Sequence, residues 1–448
     1  MNLLAVTKKR FNSNSLNIAL SFVSRAGGAA TGFIIIPFVI QAIGKEEFGL
    51  YLSIVSFFFI LQVFDFGLNN ILKNELSGYI VNNKIAKASS LYTNSVIAIA
   101  ILFVILLLII SYIRIWDSEI INKIFNLGPN QSKWTNYFYI IATIALVNYL
   151  AQPGINLYYS LGKTYLAYFV NFIGQFLGLV LFIMVNNKVD DKILLTILLI
   201  YGFPAILNFV SVLALQFSKK NKIKFKVKAY NKNLILNTLR KSSKFFIIQI
   251  ASVTQFQLGN FMVSLYFKPE FVTEYNTYSK YFSVSQILLT IISTPYWINF
   301  AKLNAVNDYL GLEKELVKFR KLVFGISAIL VLEYLVGPFV FNIWLGRNVT
   351  YNYNTSLFIM LYYITFINGA VYVIFNNSIS LLKIQTISSI ASVAIFVILF
   401  DQLAQTYGII SISIALIASN FYGIIIAPIQ AIKYLNSKDI NAISLIEH

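Results

Sequence analysis

An all-α polytopic membrane protein is the fold class this sequence predicts, on three observations. Of 448 residues, 58% are hydrophobic and only 12% charged, with a mean hydropathy of +0.72. A soluble domain carries about 25% charged residues, so a bilayer is the solvent that suits this surface. Twelve stretches each hold roughly 20 largely apolar residues, the length that crosses a hydrocarbon core as a helix. The lysines and arginines gather in alternate connections between those stretches, as they do in multi-pass proteins.

The expected spans are 14–41, 48–72, 88–115, 136–161, 165–185, 193–217, 245–267, 275–300, 322–343, 355–382, 386–403 and 409–435. Each is too long for a barrel strand and lacks strict alternation, so each reads as a helix. The first follows Lys8, Lys9 and Arg10, but its apolar run is too long for a cleavable signal and no small-residue cleavage site follows it. With the N-terminus inside, the inner segments and the span ends beside them hold 25 Lys+Arg and the outer segments with theirs 8, while Arg25 and Lys280 lie deeper within spans. That ratio predicts that both termini are cytoplasmic. It also accounts for the net charge of +18 without nucleic acid. Glu46, Glu47, Asp117, Glu119, Asp190, Asp191, Glu270 and Glu274 fall in the outer connections.

Internal similarity predicts two six-helix bundles. Gly44-Lys45-Glu46-Glu47-Phe48 is echoed by Phe267-Lys268-Pro269-Glu270-Phe271, an offset of 223 between lysines. Tyr201-Gly202 with Pro204 is echoed by Tyr422-Gly423 with Pro428. Six spans per half make parallel repeats, and such folds place a substrate path between them. The expected organisation is an N-terminal lobe over 1–217, a linker over 218–244 with ten basic residues and no acid, and a C-terminal lobe over 245–448. Anionic lipid head groups are the expected neighbours of the linker lysines.

Several functions are excluded or disfavoured. Cysteine is absent and the one histidine is His448, which removes thiolate chemistry, Cys-type zinc sites and a histidine base. No Gly-rich loop with Gly-Lys-Ser/Thr is present, so ATP hydrolysis by that route is not expected. No Arg-rich helix or filter motif suggests a voltage sensor or a channel. The outer connections are short, which disfavours a membrane enzyme.

Polar residues recur at helical spacing inside the spans. Such residues are costly in lipid and usually face protein or water. Span 1 carries Asn17, Ser21, Arg25, Gly28 and Gly32; span 2 Gln62, Asp65 and Asn69; span 4 Asn148, Gln152 and Asn156; span 5 Asn171 and Gln175; span 7 Gln249, Ser252, Gln255, Gln257 and Asn260; span 8 Asn276, Lys280, Ser283 and Gln286; span 10 Asn368, Tyr372 and Asn376. Interhelical hydrogen bonding explains any one of them; a hydrated central cavity explains the set. The candidate cavity residues are Arg25, Lys280, Asp65, Asn69, Gln152, Gln255 and Asn260, with Asp65 and Glu333 as candidate coupling acids. Arg25 is placed near the middle of its span and Lys280 about 8 Å inside the outer end of span 8.

Ile36-Pro37-Phe38, Ile43-Gly44-Lys45-Glu46-Glu47-Phe48-Gly49-Leu50-Tyr51 and Asp65-Phe66-Gly67-Leu68 resemble the N-terminal signature of Wzx-type bacterial polysaccharide flippases, in the multidrug/oligosaccharidyl-lipid/polysaccharide exporter superfamily. Glu274-Tyr275, Thr294-Pro295-Tyr296-Trp297, Trp344-Leu345-Gly346 and Tyr407-Gly408-Ile409 support it. The resemblance implies a MATE-like fold of two six-helix lobes around a central cavity. It implies a transporter rather than an enzyme, moving undecaprenyl-diphosphate-linked oligosaccharide for O-antigen or capsule by alternating access. It needs no cofactor, with H+ or Na+ coupling expected. Lipid-linked oligosaccharide, membrane lipids, a polysaccharide polymerase and a chain-length regulator are the partners implied. The family's cationic cavity suits a diphosphate, and Arg25 and Lys280 sit where such residues are expected. Span 7 departs from the pattern, with Gln255, Gln257 and Asn260 where many relatives carry an acid. The rival readings are a cation-coupled multidrug exporter of the same superfamily, which favours acidic cavity residues, and a membrane enzyme of polysaccharide assembly.

Overall fold

The computed structural model describes residues 3–61, 65–116, 119–125, 127, 130–256, 258–346 and 350–444, and among these every regular element is helical. The chain divides into two compact units, Met1–Gln249 and Ile250–His448.

The first unit opens with α1 (Leu3–Ile43), a turn at Gly44, and α2 (Lys45–Leu61). Gly44 has φ +85°, a left-handed value that glycine adopts without strain. Glu46 and Glu47 follow in the first turn of α2, where carboxylates meet the positive end of the helix dipole. Then come α3 (Leu68–Val81), α4 (Ile85–Trp116), the short α5 (Glu119–Phe125), α6 (Gln131–Ser160), α7 (Thr164–Val185), α8 (Lys192–Thr196) and α9 (Phe203–Phe217). A core of Leu72, Leu76, Ala88, Leu91, Tyr92, Ala151 and Leu157 joins α3, α4 and α6. α6 and α9 approach closely at Gly154, where an added Cβ would stand 2.1 Å from the Val212 side chain.

The residues after α9 are docked on α4. Asn94 Nδ2 donates to the Ala229 carbonyl at 2.9 Å, the Asn231 amide donates to Asn94 Oδ1 at 2.8 Å, and the Lys226 amide donates to Thr93 Oγ1 at 3.0 Å. Lys219, Lys220, Lys222, Lys226 and Lys228 remain exposed. From Lys232 the chain is helical again as α10 (Lys232–Phe256), so the second half of the expected linker forms the start of a long helix.

The second unit continues with α11 (Leu258–Tyr266), α12 (Pro269–Ala305), α13 (Tyr309–Leu345), α14 (Tyr353–Ser378), α15 (Lys383–Tyr407), α16 (Ile410–Ser419) and α17 (Ala427–Ser444). Aromatic rings fill its core: Tyr278, Phe282, Phe300, Phe319, Phe341 and Phe375 are all under 2% exposed.

Outward-facing apolar residues mark lipid contact. α4 exposes Val104, Ile105, Leu108, Ile109, Ile115 and Trp116, and α13 exposes Phe324, Leu332, Leu335, Phe339 and Ile343. By length and apolarity, eight helices among the described residues are fit to cross a membrane, or nine when the pair bent by 43° at 410–419 and 422–437 counts as one. The expected twelve therefore do not map one for one onto long apolar helices. The stretch 48–72 is divided between α2 and α3. The stretch 245–267 is divided between α10, which opens with basic residues, and α11. The stretch 275–300 lies within α12, where Asn276, Lys280, Ser283 and Gln286 lower the apolarity. Helices that face water or polar cargo carry such residues at the expense of hydropathy.

Each unit has a π-helical turn in its last crossing, Ile197–Gly202 and Tyr422–Ile426. Both follow from a proline just beyond, Pro204 and Pro428, which cannot donate to the carbonyl one turn back. The repeated Tyr-Gly pairs lie on these turns. Glycine admits a neighbour there: a Cβ on Gly369 of α14 would lie 2.8 Å from the Gly423 carbonyl carbon.

Candidate functional site

α1 and α7 carry matched polar faces. Ser21 Oγ and Thr164 Oγ1 are 2.9 Å apart, and the Arg25 guanidinium donates to the Tyr168 hydroxyl while lying 4.0 Å from the ring centroid. Both pairs span 143 residues, and a constant offset means the helices run parallel. Two parallel neighbours cross a membrane in the same sense, as spans 1 and 5 must. Small residues permit the approach: a Cβ on Gly27 would meet the Phe172 ring at 2.8 Å, while one on Gly28 would meet only Gln175 Oε1, at 3.7 Å.

Arg25 is exposed, and among the described residues it meets no carboxylate. Its partner is an aromatic face with a hydroxyl, an arrangement that holds the planar cation by the ring quadrupole without neutralising it. Tyr159 packs against Tyr168, with centroids 5.7 Å apart. Among the described residues no ion pair joins Arg25 to Asp65, the buried acid of this unit.

Asp65 is used locally. Its side chain is buried at 1% exposure, Oδ1 accepts the Gly67 amide at 2.8 Å and Oδ2 the Asn69 amide at 3.2 Å. Phe66 and Gly67 have φ of 51° and 76°. The carboxylate therefore satisfies amides at a break and starts α3. Asn69 continues the network, accepting from Asn156 Nδ2 at 2.9 Å; the same amide donates to the Gln152 carbonyl at 2.9 Å. Asp65, Asn69, Gln152 and Asn156 are thus brought together between α3 and α6.

In the second unit, α12 buries Tyr278, Tyr281, Phe282, Ser285 and Leu289 and leaves Lys280 exposed, with Asn276, Ser283 and Gln286 half-buried. Lys280 makes no ion pair among the described residues. Counted from Pro269 it lies 11 residues along α12, about 16 Å. That is twice the depth expected from sequence, because the helix begins six residues earlier than the apolar stretch. Arg25 lies 18 residues before the end of α1 at Ile43, about 27 Å along it.

Glu333 on α13 has its Oε2 buried with no hydrogen-bond partner, and its carbonyl accepts the Tyr281 hydroxyl at 2.7 Å. Asn260 is half-buried on α11. Gln255 is in α10 with its side chain outside the described set, and Gln62 and Gln257 are outside the described residues.

Sequence reasoning missed the pairing of two outer acids with aromatic residues of α6. Glu47 Oε2 accepts the Trp134 indole N–H at 2.6 Å. Asp191 accepts the Tyr137 hydroxyl at 2.6 Å, caps α8 through the Leu194 amide at 3.0 Å, and has Lys133 at 3.8 Å. Partial burial raises the Asp191 carboxyl, but the phenol, the amide and the ammonium outweigh it and hold it below the ordinary range.

A family model described as "Polysaccharide biosynthesis protein" matches residues 16–298, well over half of the chain. The chain belongs to that family. It is a multi-pass membrane protein of that polysaccharide-biosynthesis family. A "Putative O-antigen export protein" of Yersinia pseudotuberculosis is 22% identical over 405 residues, covering 86% of this chain and 88% of its own. In fold, the chain is similar to an inward-facing MATE family multidrug resistance transporter, with TM-score 0.70 at 12% identity over 94% of this chain and 95% of the other. It is equally similar to the lipid II flippase MurJ in an inward closed conformation, with TM-score 0.70 at 14% identity over 96% and 90%. A superfamily transporter of Pyrococcus furiosus with a binding pocket of reversed polarity gives TM-score 0.64 at 13% identity over 94% and 96%.

Proposed function

We propose that the protein is a flippase that moves undecaprenyl-diphosphate-linked oligosaccharide repeat units, for O-antigen or capsule, across the bacterial cytoplasmic membrane by alternating access. The observation that carries this reading is Arg25, a permanent cation deep along α1, steadied by the Tyr168 ring and hydroxyl and left without an acid. A diphosphate entering a low-dielectric path loses hydration that nearby positive charge must offset. A guanidinium supplies a planar fork for phosphate oxygens, and an ammonium such as Lys280 a point charge. Asn69, Gln152, Gln255 and Asn260 are the candidates for contact with the sugars. Both termini are assigned to the cytoplasm, with a polymerase and a chain-length regulator acting downstream.

Coupling to an H+ or Na+ gradient is assigned to Glu333, whose Oε2 has no partner to give up when a proton binds. Asp65 is the weaker choice, since both its oxygens already hold backbone amides. The drug-export alternative calls for acids facing a cationic ligand, and Glu333 is the residue it would use.

Arg25→Ala should reduce surface polysaccharide at least about tenfold at unchanged protein abundance, Arg25→Lys should retain part of it, and Lys280→Ala should act more mildly, with Lys280→Arg functional. Polysaccharide gels beside immunoblots of the same strains read this out. Normal export from Arg25→Ala, or drug sensitivity with intact polysaccharide, would overturn the reading.

A further inference from the structure

The second unit contains a cavity of about 570 Å³ lined by none of the candidate site residues, though Asn368 and Tyr372 of the span 10 polar face and the exposed Phe324 of α13 border it. Its wall is Val317, Arg320, Lys321 and Phe324 from α13, and Asn368, Val371 and Tyr372 from α14. The spacings i, i+3, i+4, i+7 and i, i+3, i+4 put each set on one helix face. The two helices run antiparallel here, since Asn368 donates to Ser327 Oγ at 2.8 Å while Tyr372 lies opposite Arg320.

Two cations line this space and no acid does. The nearest acid along α13, Glu315, is already engaged, by Lys318 at 3.2 Å and by Asn299 at 3.1 Å. Among the described residues Arg320 and Lys321 form no ion pair. The Arg320 guanidinium carbon lies 5.8 Å from the Tyr372 ring centroid, so the ring steadies the cation and leaves its donors available.

The position along the helix narrows the ligand. Arg320 lies 25 residues before Leu345, about 37 Å along α13, whereas a hydrocarbon core is about 30 Å thick. By the lysine distribution this end is cytoplasmic, so the cations stand at the level of inner-leaflet head groups. Phe324 and Val371 line the same space with apolar surface, and Phe324 is itself 73% exposed. A cationic mouth above an apolar wall matches a molecule with a phosphate at one end and a hydrocarbon chain at the other.

We propose that this cavity binds the phosphate head group of an inner-leaflet lipid, with Arg320 and Lys321 on the phosphate oxygens and Phe324 and Val371 along the chain. A phospholipid and a polyprenyl diphosphate share that chemistry. The site stands on its own geometry and not on Arg25 or the proposed cargo.

The test uses the full chain in phosphatidylcholine nanodiscs. One arm titrates farnesyl diphosphate; the other replaces part of the phosphatidylcholine with phosphatidylglycerol and counts retained lipid by native mass spectrometry. The charge-neutral pair R320Q/K321Q should weaken at least one ligand by about tenfold or more, and the charge-conserving pair R320K/K321R should restore it, which separates charge from folding. Loss confined to farnesyl diphosphate identifies a prenyl diphosphate site, and loss confined to phosphatidylglycerol a phospholipid site. Wild-type binding of both ligands by R320Q/K321Q, or loss that R320K/K321R does not restore, overturns the proposal.

Discussion

Arginine and aspartate act here through their immediate partners. Arg25 meets the Tyr168 ring and hydroxyl and, among the described residues, no carboxylate, and this is why its removal is expected to affect transport more than abundance. Asp191 shows the opposite use of charge, as a fixed anchor. Its carboxyl is held below its ordinary value, so its charged form stabilises the fold at every pH above the unfolded value. That contribution is lost as pH falls through the lower folded value. Asp191→Asn should therefore lower the melting temperature of the purified protein near pH 7, at a cost of about 1 kcal/mol or less for a group this exposed. The gap to wild type should close only as acid protonates the folded carboxyl, below the ordinary carboxylate range. A gap that widens with acid would contradict the assignment.

Breaks in helices do as much as their lengths. Phe66 and Gly67, both at positive φ, divide α2 from α3, and Asp65 caps the new start. The last crossing of the second unit bends by 43° between Ser419 and Tyr422, and beyond the bend the Ala427 carbonyl accepts from Asn376 Nδ2 at 3.1 Å. Two glycines of the second unit test how tight this packing is. Gly369→Val places a side chain against Gly423 backbone, 2.8–3.1 Å from an added Cβ. Backbone cannot give way as a side-chain tip can, so a loss of roughly 1–3 kcal/mol is expected. An added Cβ on Gly325 meets nothing within 4 Å, so Gly325→Ala should be neutral or stabilising by up to about 1 kcal/mol. Thermal melts in detergent compare the two, and equal effects would refute the packing argument.

Across the whole molecule, the distribution of basic residues sets the expected topology. A reporter fused after Lys228 should be active only when it functions in the cytoplasm, because the ten basic residues of 218–244 hold that segment at the inner leaflet. Periplasmic activity at this position would invert the topology. Reconstituted vesicles should translocate lipid-linked oligosaccharide without ATP, since no phosphate-binding loop of the Gly-Lys-Ser/Thr type occurs. A strict requirement for ATP with no added partner would refute a gradient-driven or consumption-driven cycle.

Composition and periodicity determined the solvent and the helical class, because a chain with 12% charge has only a bilayer to fold in. The Tyr201-Gly202 and Tyr422-Gly423 echo also had a local meaning: each proline beyond it forces the same π turn. What residue types and spacing left undecided is who meets whom across helices. Asp65 and Arg25 both read as membrane-buried charges, yet only packing shows that one satisfies two amides while the other rests on an aromatic ring. The true start of α12 set the depth of Lys280, since a polar first turn hides a helix end from any apolarity count. Arg320 and Lys321 looked like two more inner-leaflet charges. They become a candidate site only because α14 brings Asn368, Val371 and Tyr372 against them, a juxtaposition between helices that no periodicity along either one encodes.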